Sequence, residues 1–182
     1  MKRLQHGLIS ILLLAYPFLV GYSIYTQQYI WVSLLLIGLG LTRLLTKNRQ
    51  LMWPLAAFAV LCGGLSLIFQ QHAWLKLYPV MMSLGALVIF ATTLIRPPSM
   101  IERFARLMDA NLPESGVIWT RKVTWVWCGF FLINACIALI TVYWLPLEYW
   151  VAYNGFISYL LMGLLLLGEY ILRKRHQKKQ AE

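Results

Sequence analysis

Residues 123–144 read VTWVWCGFFLINACIALITVYW, 22 residues without a charge. A helix of that length measures about 33 Å at 1.5 Å per residue, and the hydrocarbon core of a bilayer is about 30 Å thick. Asn134 sits near its middle, about 16 Å along the helix from Val123. The composition of the whole chain agrees with this run: 60% of the 182 residues are hydrophobic and 12% charged, whereas a soluble domain carries about a quarter charged residues.

Five further runs have the same character. With the first, they predict spans near Leu8–Tyr25, Tyr29–Leu45, Leu51–Phe69, Leu75–Ile95, Val123–Trp144 and Trp150–Leu172. The expected fold is an all-α, polytopic membrane protein with six transmembrane helices in a single transmembrane domain over 1–182. Lys2 and Arg3 precede the first run as in a signal peptide, but bulky Tyr22, Ile24 and Tyr25 stand where small residues would mark cleavage, so the run is read as a retained helix.

Charge sets the expected orientation. Once the runs are read as spans, fifteen of the sixteen Lys and Arg residues fall on one side, and Lys76 alone falls on the other. The positive groups are Lys2 and Arg3; Arg43, Lys47 and Arg49; five residues between Arg96 and Lys122; and the basic tail 173–182. The positive-inside rule then puts both termini in the cytoplasm, which requires an even number of spans. The eight tryptophans fall near one predicted interface or the other, the depth that amphipathic rings favour. A net charge of +10 is thereby explained by topology, and no nucleic-acid partner is expected.

Only the connection over 96–122 is long. Arg96-Pro97-Pro98 stops a helix, and Ser99 precedes Glu102 by three residues, a capping-box pattern. Ile101, Phe104, Leu107 and Met108 then fall on one helical face, with Glu102, Arg103, Arg106 and Asp109 largely on the other. A short amphipathic helix on the cytoplasmic interface is expected between the fourth and fifth spans. Arg96, Glu102, Arg103, Arg106 and Arg121 are candidates for a partner or lipid-headgroup contact.

Ionisable groups within spans usually mark function. Arg43 and Glu169 lie close to span ends, and Glu169 precedes Arg173 at an ion-pair spacing. Asn134, Asn154 and Glu169 are the candidate intramembrane polar residues. For Asn134 two roles are open, a bond between helices or the wall of a ligand site. Pro17, Pro54 and Pro79 interrupt helical ladders. Tyr16-Pro17 recurs as Tyr78-Pro79, the kind of echo an inverted repeat leaves, although the spans place the two at different depths.

Several chemistries lack their residues. No Ser/His/Asp set, HExxH, P-loop or GxGxxG occurs. His6, His72 and His176 lie outside every span, and Cys62, Cys128 and Cys136 have no metal-ligand spacing. No catalytic residue, metal or cofactor is expected, and the chain is read as non-enzymatic.

The second half is similar to known proteins. Tyr78-Pro79, Arg96-Pro97-Pro98-Ser99-Met100-Ile101-Glu102-Arg103, Leu112-Pro113, Thr120-Arg121-Lys122-Val123-Thr124, Trp127, Phe130-Phe131, Asn134, Tyr153-Asn154-Gly155 and Gly168-Glu169-Tyr170 resemble an uncharacterised bacterial inner-membrane family. That family is associated with fatty-acid-like gene clusters that make aryl polyenes. The Pro-x-x-Ile of the loop also resembles the broader septation protein A family, although Trp119-Thr120-Arg121 followed by Trp125 and Trp127 places one tryptophan differently. The resemblance covers about residues 60–175. It implies the bacterial inner membrane, a role in the cell envelope, membrane lipids as partners together with cytoplasmic or membrane envelope-biosynthesis proteins, and no known catalytic site. The leading expectation is an accessory or scaffold protein in envelope or lipid-like product assembly; the alternative is a small transporter or flippase for a hydrophobic or lipid-linked substrate.

Overall fold

The computed structural model of the protein describes residues 15–44, 53–69 and 73–181, with backbone alone at 29, 43–44, 53–55 and 175–181. Expectations resting on Lys2, Arg3, His6, Lys47, Arg49 and His72, and on the side chains of Arg43, Pro54 and the tail beyond Lys174, lie outside the described residues. Among the described residues every regular element is helical. The order is α1 (residues 15–25), α2 (Tyr29–Leu44), α3 (Trp53–Phe69), α4 (Ala73–Lys76), α5 (Tyr78–Ile95), α6 (Met100–Met108), α7 (Glu114–Tyr143), α8 (Leu147–Ala152), a π-helical turn (Tyr153–Ile157) and α9 (Ser158–Ala181).

Three stretches are long and apolar enough to cross a membrane: Ala73–Ile95, Glu114–Tyr143 and Leu147–Lys174. Two shorter apolar helices, Ile30–Thr42 and Ala56–Phe69, stand where two other runs were read. The 96–122 connection is more helical than a loop: α6 occupies its first part, and α7 begins at Glu114, nine residues before the apolar run. Nothing breaks the ladder between them, because Gly116 is the single poor helix former from Glu114 to Lys122.

α7 is the central element, packed against α5, α6 and α8. Its buried residues, among them Val123, Trp127, Phe131, Asn134, Ala138 and Thr141, recur at three- and four-residue spacing. One core joins α1 to α5, α7 and α8 around Tyr16, Val20, Ala138 and Trp150. A second, aromatic cluster sits lower on α5 and α7, where Trp127 and Phe131 pack 5.6 Å apart and Phe90 meets Phe131 edge-on at 5.1 Å.

α2 and α3 form a close hairpin because glycine removes the side chains between them. A Cβ on Gly63 would stand 2.9 Å from the Ser33 carbonyl oxygen, and one on Gly40 would stand 2.9 Å from that of Ala56. Ala59 and Gly63, a small-xxx-small pair, thus lie on the contact.

The described tryptophans differ in burial. Trp150 is fully buried and Trp127 nearly so, while Trp31, Trp125 and Trp144 face outward. Indole at a span end can serve as a core group when a carbonyl is available for its N–H, and Trp150 finds one.

Candidate functional site

The site begins with a broken helix. Pro79 lies in the first turn of α5 and has no N–H, so the carbonyl of Leu75, four residues earlier, receives no helical bond. α4 accordingly ends at Lys76 and α5 starts at Tyr78. Two carbonyls at this break are met by side chains from elsewhere. The Tyr16 hydroxyl donates to Leu75 O at 2.8 Å, and Trp150 Nε1 donates to Lys76 O at 3.1 Å. Lys76 in turn extends to α7, where its Nζ donates to Val142 O at 3.1 Å.

The same break brings the two Tyr-Pro pairs together. The rings of Tyr16 and Tyr78 meet edge-on with centroids 4.8 Å apart. The different depths assigned from span position are therefore corrected: α1 and α5 are offset along their axes by enough to put the two dipeptides face to face.

The opposite wall is made by α7 and the π turn. A π turn inserts one extra residue into the helical register and re-aims the side chains around it. Here the Tyr153 hydroxyl donates to Asn134 Oδ1 at 2.9 Å, and Asn134 Nδ2 donates to Ser83 Oγ at 2.9 Å. The Ser83 hydroxyl in turn donates to Pro79 O at 3.0 Å. The neighbouring Asn154 donates to Thr141 Oγ1 at 3.2 Å and to Trp150 O at 2.9 Å. Gly155 makes room for this wall against α1, since a Cβ there would stand 2.8 Å from the Phe18 ring.

Between these walls lies a cavity of about 240 Å³. Hydroxyl and amide groups, among them those of Ser83, Asn134, Asn154 and Ser158, supply its polar surface, and mainly methionine, proline and aromatic carbon supply the rest. No Asp, Glu, Lys, Arg or His lines it. Asn134 bonds α7 to α5 and to the π turn, and it also lines the cavity. Asn134 and Asn154 share that cavity through separate partners. Ser83 and Thr141 were not singled out in the sequence, although a hydroxyl inside an apolar run was a usable sign.

The other candidates lie elsewhere. Glu102 is buried, in contrast to the polar-face expectation, because its carboxylate is used at the start of α6: it accepts from the Ser99 N–H at 3.3 Å and pairs with Arg106 at 2.8 Å. The next free donor, Ile101 N–H, is accepted by Thr124 Oγ1 of α7 at 3.3 Å. Arg103 is exposed and donates from Nε to Pro98 O at 2.9 Å. Arg96 and Arg121 are exposed. Glu169 lies on α9 with Arg173 at 3.7 Å, the local pair expected from their spacing. Phe104, Leu107 and Met108 of α6 are exposed.

A sequence model of the family described as Intracellular septation protein A matches residues 3–180. The match therefore takes in the first two apolar runs, beyond the 60–175 of the sequence resemblance. The Inner membrane-spanning protein YciB of Dechloromonas aromatica (strain RCB) is 28% identical over 137 residues, 74% of this chain and 65% of that protein. Its namesake from Shewanella frigidimarina (strain NCIMB 400) is 29% identical over 138 residues, 74% of this chain and 72% of the relative. The Ralstonia pickettii (strain 12J) protein of the same name is 28% identical over 141 residues, 74% and 69% of the two chains. The chain thus spans just under two thirds of the Dechloromonas protein and slightly more of the other two. No solved structure matches. With nearly its whole length matched, and with membrane-length helices built around the broken fourth run, the chain belongs to the intracellular septation protein A family.

Proposed function

We propose that this protein is a non-enzymatic, six-span accessory protein of the bacterial inner membrane, and that it holds a hydrophobic or lipid-linked molecule between its helices during cell-envelope assembly. The observation that carries this reading is the cavity walled by Asn134, Asn154, Ser83 and the two Tyr-Pro pairs. A cavity among apolar helices with several amide and hydroxyl groups and no charged wall suits an uncharged hydrogen-bonding group on an apolar body. An aryl polyene or other fatty-acid-like product has that character. Release of the molecule toward the other leaflet would make the protein a small transporter or flippase, and the break at Pro79 is the kind of discontinuous helix found at such sites.

The test is co-purification. The detergent-extracted protein is expected to retain an apolar molecule identifiable by mass spectrometry. Asn134→Leu should lower its yield roughly fivefold, the effect of about 1 kcal/mol from one lost hydrogen bond. An unchanged yield from a well-folded variant refutes the cavity as the site.

A specific observation also supports the scaffold reading. Arg96, Arg103 and Arg121 are exposed, as are Phe104, Leu107 and Met108 of α6, a combination suited to a headgroup-level platform for cytoplasmic enzymes. In that case reversing Arg103 and Arg106 to Glu abolishes envelope function while Asn134→Leu is tolerated. The cavity reading predicts the opposite order.

A further inference from the structure

α9 is the least embedded of the three membrane-length helices. Only 11% of the apolar window in Leu147–Lys174 is buried, against 44% for Glu114–Tyr143. α9 therefore stands away from α7, and the space between them is a run of clefts that share walls. The first, about 390 Å³, is bounded by the α6–α7 link, Trp119, Tyr170, Arg173 and Lys174. The second, about 260 Å³, shares Trp119 and continues along Val126, Trp127 and Leu164. The third, about 340 Å³, shares Leu164 and ends against Phe130 and Ile137.

The polarity of this run is graded. Its wide end carries Asp109, Arg173 and Lys174, and Lys122 and Glu169 stand on the wall of the second cleft. Glu169 is engaged by Arg173. The cations are held in place: Lys174 Nζ lies 4.9 Å and Arg173 Cζ 5.8 Å from the centre of the Tyr170 ring. Beyond Lys122 and Glu169 the walls are mainly apolar, with Asn134 and Tyr153 at the far end. We infer that the α7–α9 cleft binds one anionic phospholipid, with its phosphate at Lys122, Arg173 and Lys174 and an acyl chain lying along Trp127 and Leu164.

Charge and shape both select this occupant. Three cations against two acids leave this end net positive above an apolar groove, which matches an amphiphile with a negative head, and basic pockets between membrane helices at the positive end are suited to such headgroups. A symmetric contact with a second copy would bring like charges together. The phosphate end shares no residue with the central cavity, and the run meets the cavity wall at Asn134 alone, at its far end.

The experiment is native mass spectrometry of the full chain released from detergent after incubation with equal amounts of phosphatidylglycerol and phosphatidylcholine. One phosphatidylglycerol per chain is expected to survive, in clear preference to phosphatidylcholine. The triple variant K122Q/R173Q/K174Q should weaken its retention by on the order of a hundredfold, about fivefold for each charge near a membrane surface. Leu164→Trp changes no charge, replaces an exposed side chain and fills the groove, and it should also abolish retention. Equal retention of the two lipids overturns the proposal, as does full retention by either variant. Competition by glycerol 3-phosphate alone would reduce the site to a phosphate site and overturn it too. Lipid found only on a two-chain species would assign the groove to a subunit interface and overturn it.

Discussion

Pro79 leaves the Leu75 carbonyl without its helical donor, and Tyr16 supplies one from another helix. Inside a bilayer an unmet carbonyl has no water to turn to, so the hydroxyl is worth more here than at a surface. Tyr16→Phe should destabilise the protein by about 1–3 kcal/mol, the desolvation loss of one buried acceptor. Pro79→Ala restores an N–H to the same carbonyl and should make the Tyr16 hydroxyl redundant. The two changes are thus expected to be non-additive in a double-mutant cycle of thermal unfolding in detergent, and strictly additive effects would rule out this link. The Asn134–Tyr153 bond is a second such pair. Its coupling, read from Asn134→Leu and Tyr153→Phe, should fall near the average of about 0.6 kcal/mol for membrane hydrogen bonds, and below about 1.7.

At the scale of elements, contact depends on what is absent from a helix face as much as on what is present. Gly63 faces the α2 backbone and Gly64 faces open space. Gly63→Ala should cost about 1–3 kcal/mol by forcing α2 and α3 apart, whereas Gly64→Ala should be neutral or stabilising by up to about 1 kcal/mol, as glycine is a poor helix former. Equal shifts in unfolding temperature would refute the packing assigned to the pair. α6 shows the same dependence on single groups. Glu102→Ala removes the acceptor of the Ser99 N–H and the partner of Arg106, and Thr124→Val removes the acceptor of the Ile101 N–H. Each should cost α6 about 0.5–2 kcal/mol and speed amide exchange across Met100–Met108 while leaving α7 unchanged. These elements also mark how far the sequence can be read. The capping pattern at Ser99 and Glu102 and the need of Asn134 for a partner are local facts, visible in a few residues. That Asn134 meets Ser83 and Tyr153, or that Tyr16 meets Tyr78, depends on the axial offset of neighbouring helices and on one extra residue in the π turn. Hydrophobic periodicity is nearly silent on both, because lipid-facing and core-facing positions are equally apolar. The burial of Glu102 was hidden for a related reason: a carboxylate that caps its own helix turns inward from a polar face.

The whole molecule is polar along its long axis. Lys76 bonds Val142 near one end of α7, and Arg173 and Lys174 share a cleft with Trp119 near the other. The 24 residues from Trp119 to Val142 span about 35 Å of helix, slightly more than the hydrocarbon core. The lone Lys and the Arg173–Lys174 pair therefore lie at opposite ends of α7, far enough apart to reach the two faces of a bilayer. α2 and α3, with 16 and 17 residues, reach only about 24–26 Å. Thinning or snorkelling can absorb such a shortfall at a fraction of a kcal/mol per ångström, so shortness alone does not remove them from the count of spans. What decides the count is the side on which each turn emerges. Six spans place both the 145–149 turn opposite the tail and the tail on the side of the 96–122 connection. A reporter active only in the periplasm should therefore be active when fused after Leu145 and silent after Lys179. Adding two lysines to the 145–149 turn should reduce the first signal, because positive residues resist translocation in short loops. Activity after Lys179 would leave an odd number of crossings, and with it the basic ends of α6, α7 and α9 could no longer share the cytoplasmic face on which both the platform and the phospholipid site depend.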